Sequence, residues 1–234
     1  FKKNNVDLIE VNLPYEPHRK LNTYGLIHNA RPLYGWLISI ITAVRRVANN
    51  FNIDLIMYGE DGEAEYGGVS QLKTKPFFDL EFTKNIYFSG EYNNALKILN
   101  KNDRYWWTVP DNSKSKMAHW SYFENWDTYR NYVISKKFMG YKESPKKNIG
   151  TYTNFAQNDT TLYDLHCYLM YLKFGFGRAT QDIGIDIRRG AMSREQGLEL
   201  VKIYDNEFPT YALEQYLEYF KLKKNSFFEI IDKH

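Results

Sequence analysis

The stretch NIDLIMYGEDGEAEYGG, residues 52–68, is the part of the sequence from which the fold is predicted. Residues 53–57 are apolar except for Asp54, and an apolar run that does not alternate is typical of a buried parallel strand. Four carboxylates follow directly, separated by glycines. Because open α/β sheets bind ligands at the carboxyl ends of their strands, this segment is either a metal site or a solvated acidic loop.

The segment before this stretch predicts the rest of a parallel α/β unit. Residues 6–13, VDLIEVNL, have the β-branched composition and short length of a buried strand. Helices are expected at about 18–29 and, opened by Pro32, at 32–50. Strand, helices and strand form a parallel crossover, so we predict an α/β fold with a Rossmann-like parallel sheet within residues 1–115.

The second half of the chain predicts a different architecture. Residues 69–116 are rich in turn residues, and we interpret them as a loop-rich insertion with one short helix at 90–100. A short strand is expected at 117–123, and a helix is expected to start near Asp127. Further helices are expected at 160–175, 193–206, 209–222 and 226–232. Residues 116–234 are therefore predicted to be mostly helical.

The composition argues against several classes of function. The 31 basic and 28 acidic residues give a formal net charge of +3, which provides no global case for nucleic-acid binding. The longest apolar run, residues 33–44, is too short to span a membrane, and the amino end has no signal-peptide pattern. The single cysteine, Cys167, lies in an apolar run and is expected to be buried. Since one cysteine cannot form an internal disulfide, we expect a reducing, cytoplasmic location.

A basic, glycine-containing segment, KFGFGRATQDIGIDIRRGAMSRE, covers residues 173–195. Its basic residues are Lys173, Arg178, Arg188, Arg189 and Arg194. Arginine binds phosphate or carboxylate groups through two parallel hydrogen bonds. The glycines and the interleaved Asp182 and Asp186 favour a folded pocket over a helix surface, and a solvated basic face is the alternative.

A third segment, GTYTNFAQND at residues 150–159, combines short hydroxyl and amide side chains with two aromatic rings. Such groups hydrogen-bond sugar hydroxyls and stack on sugar rings, but the same residue types also build loops and helix caps. Both interpretations stay open for Asn154. Among the histidines, His166 is expected in the core, whereas His18 and His28 are better placed for a ligand.

Together these segments resemble the N-acetyl sugar amidotransferase family of bacterial surface-polysaccharide biosynthesis, whose members are PP-loop ATP pyrophosphatases. The resemblance covers nearly the whole chain. It rests on MYGEDGEAEYGG (57–68), HWSYFENWDTYRNY (119–132), GTYTNFAQND (150–159), YLMYLKFGFGRATQDIGIDIRRGAMSREQ (168–196) and YDNEFP (204–209). More loosely, the acidic loop is similar to the loop after a central strand in asparagine synthetase.

The resemblance implies a fold and a reaction. The fold is a PP-loop type of Rossmann-like sheet, with nucleotide binding in residues 1–115 and sugar binding and catalysis in residues 116–234. ATP adenylates the oxygen of an N-acetyl group on a nucleotide-linked sugar, often a diacetamido uronic acid, and ammonia then displaces AMP. The product carries an acetamidino group and enters lipopolysaccharide or O-antigen synthesis. Mg²⁺ and cationic side chains would stabilise the departing pyrophosphate.

The resemblance also implies partners and residue roles. A separate glutaminase is expected to supply ammonia, and the aromatic-rich composition fits a homo-oligomer interface. The expected Mg²⁺ ligands are Glu60, Glu63 and Glu65, which form the catalytic set together with Arg178. Nucleotide phosphates are expected near Gly59, Asp61, Lys173, Arg188 and Arg189. The sugar is expected to contact Tyr152, Thr153, Asn154 and Asp182.

One family feature is missing from these 234 residues. Neither the SGGxDS-type loop that wraps the ATP phosphates nor the family's amino-terminal cysteines are found, and the chain opens at a predicted second or third strand. We therefore expect an amino-terminally incomplete chain that does not hydrolyse ATP by itself. The alternative is a non-catalytic nucleotide-sugar or carbohydrate-binding protein that keeps the pocket. A tRNA-thiolating or asparagine-forming PP-loop enzyme is disfavoured by the single cysteine and near-neutral charge.

Overall fold

The computed structural model describes residues 6–60 and 76–234, apart from the side chain of Ile86. The structure is mostly helical and contains a small parallel sheet of two strands. In the first half the helices are α1 (Tyr15–Asn29), α2 (Tyr34–Asn50), α3 (Leu80–Ile86) and α4 (Tyr92–Lys97). In the second half they are α5 (Thr128–Ile134), α6 (Thr161–Phe174), α7 (Arg178–Arg188), α8 (Arg194–Tyr204), α9 (Leu213–Phe220) and α10 (Lys224–Ile231). None of the helices in the described ranges is long and apolar enough to cross a membrane.

The sheet joins two segments that are distant in sequence. Strand β1 (Leu55–Tyr58) pairs in parallel with β2 (Lys116–His119), so that Leu55 lies opposite Lys116 and Tyr58 opposite His119. Strand β1 lies within a segment for which a strand was predicted, and β2 overlaps the strand predicted at 117–123. The parallel partner predicted for β1 was the segment 6–13, whereas the structure pairs β1 with β2. Because both strands end at the same edge, residues that follow Tyr58 and His119 come close together.

Two strand predictions are corrected by the structure. Residues 6–14 form neither a helix nor a strand, so the strand predicted at 6–13 is wrong. Apolar composition alone does not make a strand, because its backbone groups also need a pairing partner. Strand β1 is not buried along its whole length: Ile56 is 7% exposed, but Leu55 is 47% and Met57 is 40% exposed. Alternating burial follows because only the face that carries Ile56 packs on the first hydrophobic core.

The first hydrophobic core lies between α1, α2, the sheet and the segment before β2. Its centre is Trp107, which is fully buried and donates a hydrogen bond from Nε1 to the Gly35 carbonyl at 2.9 Å. The segment predicted to be a loop-rich insertion contributes much of this core, through Phe78, Phe88, Tyr92, Ala95, Leu96, Leu99, Trp107 and Val109. The described part of this segment, residues 76–116, is therefore an integral part of the first core and not an added loop.

A fully buried arginine, Arg45 of α2, fixes the elements around the sheet. Its guanidinium donates to the Ser115 carbonyl at 2.7 Å, to the Asp79 carbonyl at 3.1 Å and to Thr83 Oγ1 at 2.7 Å. Burial lowers the pKa of Arg45. Hydrogen bonds to buried carbonyls compensate for the loss of hydration of the charged group. Arg45 thereby holds α2, the start of α3 and the start of β2 together.

The second hydrophobic core is formed by α6, α9 and α10, and α1 also belongs to it. Leu26 and Ala30, at the carboxyl end of α1, pack against Leu165, Leu169, Tyr216 and the other members of this core. Earlier on α1, Leu21 belongs to the first core. The helix α1 is therefore shared by both cores, and it connects the α/β part of the chain to the helical part.

Candidate functional site

A polar niche lies between the loop at residues 150–157 and helix α7. Arg178 is the first residue of α7 and is 1% exposed. Its Nη2 donates to the Ala156 carbonyl at 2.7 Å, and its guanidinium lies 5.1 Å from the centre of the Tyr163 ring. Its Nη1 is buried and has no hydrogen-bond partner among the residues that the structure describes. A buried donor without a partner costs free energy, so the niche is suited to an additional acceptor.

Asp182 forms the second part of the niche, one turn after Arg178. Its Oδ2 accepts hydrogen bonds from Thr151 Oγ1 at 2.5 Å and from Thr153 Oγ1 at 3.2 Å. Arg178 Nε lies 3.7 Å from the same oxygen, which is a loose ion pair. Burial raises the pKa of Asp182, and neither Arg178 nor the two threonines fully offset that effect.

Asp186 extends this network by a further turn. Tyr152 donates its hydroxyl to Asp186 Oδ2 at 2.5 Å, and Arg189 Nε donates to Asp186 Oδ1 at 2.7 Å. Burial and the Asp186 carboxylate raise the pKa of Tyr152, so its hydroxyl stays protonated. Arg178, Asp182 and Asp186 follow each other at intervals of four residues and therefore share one face of α7. The sequence favoured a folded pocket over a helix surface at this segment. The structure has a helix here, and one face of that helix forms a wall of the niche.

The free space inside the niche is small, at about 20 Å³. A water molecule needs roughly 10–15 Å³ of such space, so the niche has room for a single oxygen-sized group. The residues that line it are Thr128, Tyr152, Thr153, Phe155, Ala156, Gln157, Tyr163, Arg178, Asp182 and Asp186. The niche can therefore accept one projecting polar group of a ligand.

All residues that line the niche except Thr128 lie in a segment that matches a protein family. Residues 149–234 match the family model described as LPS biosynthesis protein WbpG-like, C-terminal domain. These residues are WbpG-like in sequence. The match confirms the predicted family resemblance over this part of the chain. A comparison with curated proteins found no match.

The WbpG-like region holds its own niche in place through the motif YDNEFP. The Asp205 carboxylate accepts from the backbone N–H of Gly177 at 2.7 Å and of Thr180 at 3.0 Å, so it caps the amino end of α7. Glu207 Oε2 accepts from the Gly150 N–H at 3.0 Å, which anchors the start of the niche loop. These two carboxylates therefore position Arg178 and the loop without lining the niche.

A larger cleft adjoins the WbpG-like region at the carboxyl edge of the sheet. It has a volume of about 420 Å³ and shares Thr128, Phe155 and Ala156 with the niche. Its aromatic lining residues are Trp120, Trp126, Tyr132, Tyr141 and Phe155, and Gly59 lies at its border with β1. The rings of Tyr132 and Phe155 stack with their centres 4.7 Å apart. A cleft at this edge matches the usual ligand position of parallel α/β sheets.

The structure places only one member of the predicted metal set. Glu60 lies two positions beyond β1, next to Gly59, and partial burial raises the pKa of its carboxyl group. Asp61, Glu63 and Glu65 lie outside the described residues. Within residues 6–60 and 76–234, no group of three His, Cys, Asp or Glu side chains is arranged to hold a metal ion.

The other predicted site residues fall into two groups. Tyr152, Thr153, Arg178 and Asp182 meet in the niche, and Arg189 joins them through Asp186. Three residues lie outside the niche lining. Lys173 donates to the Asn29 carbonyl at 3.1 Å, Arg188 is exposed, and Asn154 donates from Nδ2 to the Ser144 carbonyl at 2.8 Å.

The buried Cys167 and the histidines lie apart from the niche lining. Cys167 is 3% exposed, as predicted, and burial raises the pKa of its thiol to about 12. Burial lowers the pKa of His166 to about 4, which agrees with a neutral core residue. His18 packs beside Trp107 and His28 packs beside Tyr24.

Sequence reasoning missed several residues of the site. Asp186 and Tyr163 line the niche, and Trp126 lines the cleft. Helical spacing from Arg178 through Asp182 to Asp186 was the signal that could have assigned Asp186. The capping role of Asp205 had no local signal, because it acts on residues 25 and 28 positions earlier.

Proposed function

We propose that this protein is the ATP-dependent synthetase subunit of a sugar amidotransferase in bacterial lipopolysaccharide biosynthesis. It converts an N-acetyl group of a nucleotide-linked sugar to an acetamidino group. The proposal rests on one observation. The residues that match the WbpG-like domain include Arg178 at the centre of the niche, and its buried Nη1 has no hydrogen-bond partner among the described residues. The niche also contains three of the side chains that the resemblance assigns to the sugar: Tyr152, Thr153 and Asp182.

The proposed reaction needs activation because an amide oxygen is a poor leaving group. The N-acetyl oxygen attacks the α-phosphorus of ATP and pyrophosphate leaves. Ammonia, supplied by a separate glutaminase, adds to the activated carbon and loses a proton, and the original oxygen departs within AMP. The net change at the sugar is replacement of the amide oxygen by NH.

The niche residues support binding and orientation in this reaction. Arg178 stays charged at all relevant pH values, and its unpartnered Nη1 provides a donor for an anionic oxygen of the nucleotide or the sugar. Tyr152 and Thr153 are fixed by Asp186 and Asp182, so their positions do not have to be ordered when a ligand binds.

The metal implied by the proposal is Mg²⁺. Carboxylate oxygens are hard ligands, and Mg²⁺ in nucleotide sites uses one or two of them beside phosphate oxygens and water. Glu60, at the carboxyl edge of the sheet, fits such a role. When bound, the metal would neutralise negative charge on the phosphates.

The proposal is tested with the complete open reading frame that contains these residues. The purified protein is incubated with Mg²⁺-ATP, ammonium and a panel of UDP-linked N-acetyl sugars. We expect sugar-dependent release of AMP and pyrophosphate, and a product lighter by the difference between O and NH in mass spectrometry. If ATP stays intact with every sugar while one sugar still binds tightly, the enzyme proposal fails and a binding protein replaces it.

A substitution links the chemistry to the niche. Arg178→Lys keeps the charge but loses the planar fork, so we expect kcat/KM to fall by about 10- to 100-fold. Arg104→Lys is the matched control, since Arg104 also donates to a backbone carbonyl, that of Leu99 at 2.9 Å, but lies outside the niche lining. Equal activity of both variants would contradict a role of Arg178 in the reaction.

A further inference from the structure

The aromatic cleft differs from the niche in its electrostatic character. No side chain among its described lining residues carries a charge, and its polar side chains include those of Thr128, Asn131 and Ser135. The cleft is therefore suited to the neutral part of a ligand that has both a polar atom and an apolar surface.

Two tryptophans line this cleft, and their indole N–H groups differ. Trp120 Nε1 donates to Glu124 Oε2 at 2.8 Å. Trp126 Nε1 is buried and has no hydrogen-bond partner in the described structure. An indole N–H is a donor only, so Trp126 Nε1 needs an acceptor that the described residues 6–60 and 76–234 do not provide. An unsatisfied buried donor is costly, and its presence beside a cleft points to a ligand.

The chemistry of the cleft selects one class of ligand group. We propose that the cleft binds the acetamido group of the sugar, with Trp126 Nε1 donating to the acetamido carbonyl and the methyl group packed among the aromatic rings. This inference rests on the proposed function. A planar neutral amide matches both features of the cleft, since its carbonyl oxygen is an acceptor and its methyl group is apolar.

The position of the cleft agrees with this assignment. Phe155, Ala156 and Thr128 separate the cleft from the niche and belong to the lining of both. A sugar whose acetamido group lies in the cleft can therefore direct an anionic group towards Arg178. In this arrangement Trp126 determines selectivity for an acetamido group over a hydroxyl group at the same position of the sugar.

The test compares three probes by isothermal titration calorimetry on the protein expressed from the complete open reading frame that contains these residues: UDP-N-acetylglucosamine, UDP-glucose and UDP. The wild type is expected to bind the acetamido sugar more tightly than UDP-glucose. Trp126→Phe keeps a six-membered aromatic ring but removes the indole N–H together with the five-membered ring that bears it, so it should weaken binding of UDP-N-acetylglucosamine by about 3- to 10-fold. Binding of UDP-glucose and of UDP should stay within a factor of about two.

Trp36→Phe is the matched control, because it makes the same change of side chain at a tryptophan that is 38% exposed and lies outside the cleft lining. It should leave the preference for the acetamido sugar unchanged. Thermal unfolding of both variants checks that they fold. The inference is overturned if the wild type shows no preference, if Trp126→Phe keeps it, or if binding of UDP falls equally. If none of the three probes binds, the nucleotide-sugar part of the proposed function fails, and the inference fails with it.

Discussion

At the level of single residues, burial has a larger effect on the pKa of Asp182 than the contacts with Arg178, Thr151 and Thr153 have. Its closest charged partner atom, Arg178 Nε, is 3.7 Å away, and the pKa of Asp182 is raised above 3.8. A raised pKa means that the folded state binds the proton more tightly than the unfolded state does. The contribution of Asp182 to the free energy of unfolding therefore decreases as pH rises from 3.8 through the folded pKa.

Asp182→Asn should make this dependence visible. Asparagine resembles the protonated carboxyl group and keeps an acceptor for the two threonines. The free energy of unfolding of the variant, relative to that of the wild type, should therefore increase between about pH 4 and about pH 7. Urea unfolding at both pH values measures the difference. A decrease over the same range would show that the ion pair with Arg178 dominates over burial.

Glu16→Gln provides a control of opposite sign. Hydrogen bonds from Arg19 and Lys221 lower the pKa of the exposed Glu16 from 4.5 to about 2. The stabilising contribution of Glu16 is therefore present above pH 4.5 and is lost as pH falls towards about 2. The glutamine variant should lose stability relative to the wild type as pH rises over this range, in contrast to Asp182→Asn.

At the level of secondary structure elements, two glycines of helix α7 have different surroundings: Gly177 is the residue just before its first turn, and Gly184 lies inside it. A Cβ atom at Gly177 would lie 2.6 Å from the Asp205 carbonyl oxygen, so Gly177→Ala must displace the residue that caps the helix. We expect a loss of about 1–3 kcal/mol in the free energy of unfolding. Calorimetric unfolding of the variant measures it, and an unchanged stability would mean that the cap moves at no cost.

Gly184→Ala in the same helix should have the opposite effect. A Cβ atom there would approach only Arg188 Nη1, at 3.3 Å, and that atom is the end of a flexible side chain. Alanine loses less backbone entropy than glycine in a helix, so we expect a gain of about 0.5–1 kcal/mol. A destabilised variant would indicate that the Arg188 side chain cannot move away.

Sequence patterns predicted most helices because their signals are local. Ser193 and Gln196 form a capping box at the start of α8, and Asp127 caps α5 by accepting from the Arg130 N–H at 2.9 Å. In contrast, the cap of α7 is Asp205, which lies on the other side of α8. The sequence of this segment therefore favoured a folded pocket over a helix surface, because the residue that caps the start of the helix is remote in sequence.

The site was predicted in part for the same reason. Tyr152, Thr153, Arg178 and Asp182 were identified from residue types that bind phosphates and sugars, and the structure brings them together. Trp126 was not identified, because an indole is equally common in cores and in ligand clefts. Only the three-dimensional structure distinguishes its unsatisfied N–H from that of Trp120.

At the level of the whole molecule, Asn22 connects the two hydrophobic cores. It is 1% exposed, donates from Nδ2 to the Tyr219 hydroxyl at 2.8 Å, and accepts at Oδ1 from the Gly35 N–H at 2.7 Å. It therefore caps α2 in the first core and contacts α9 beside the second. Since α1 is shared by both cores, we expect them to unfold together in the wild type.

Asn22→Leu tests this coupling. Leucine is of similar size but leaves the Gly35 N–H and the Tyr219 hydroxyl without partners, so we expect a loss of about 2–4 kcal/mol. All five tryptophans lie within residues 36–126, so their fluorescence reports on the first half of the chain, which contains the first core, while circular dichroism follows the helices of both cores. Coincident transitions in the wild type would confirm coupling, and separated transitions would contradict it. Tyr219→Phe, which removes one hydroxyl, should cost about half as much.

Because Asp205 caps α7 and Glu207 anchors the niche loop, substitutions in YDNEFP should change the amount of folded protein in the cell. Neither carboxylate lines the niche, and both fix backbone groups that carry it. A loss of roughly 1–2 kcal/mol changes the amount of folded protein in a cell several-fold. Substitutions in this motif should therefore lower the cellular abundance of the protein while the remaining folded molecules keep their substrate preference.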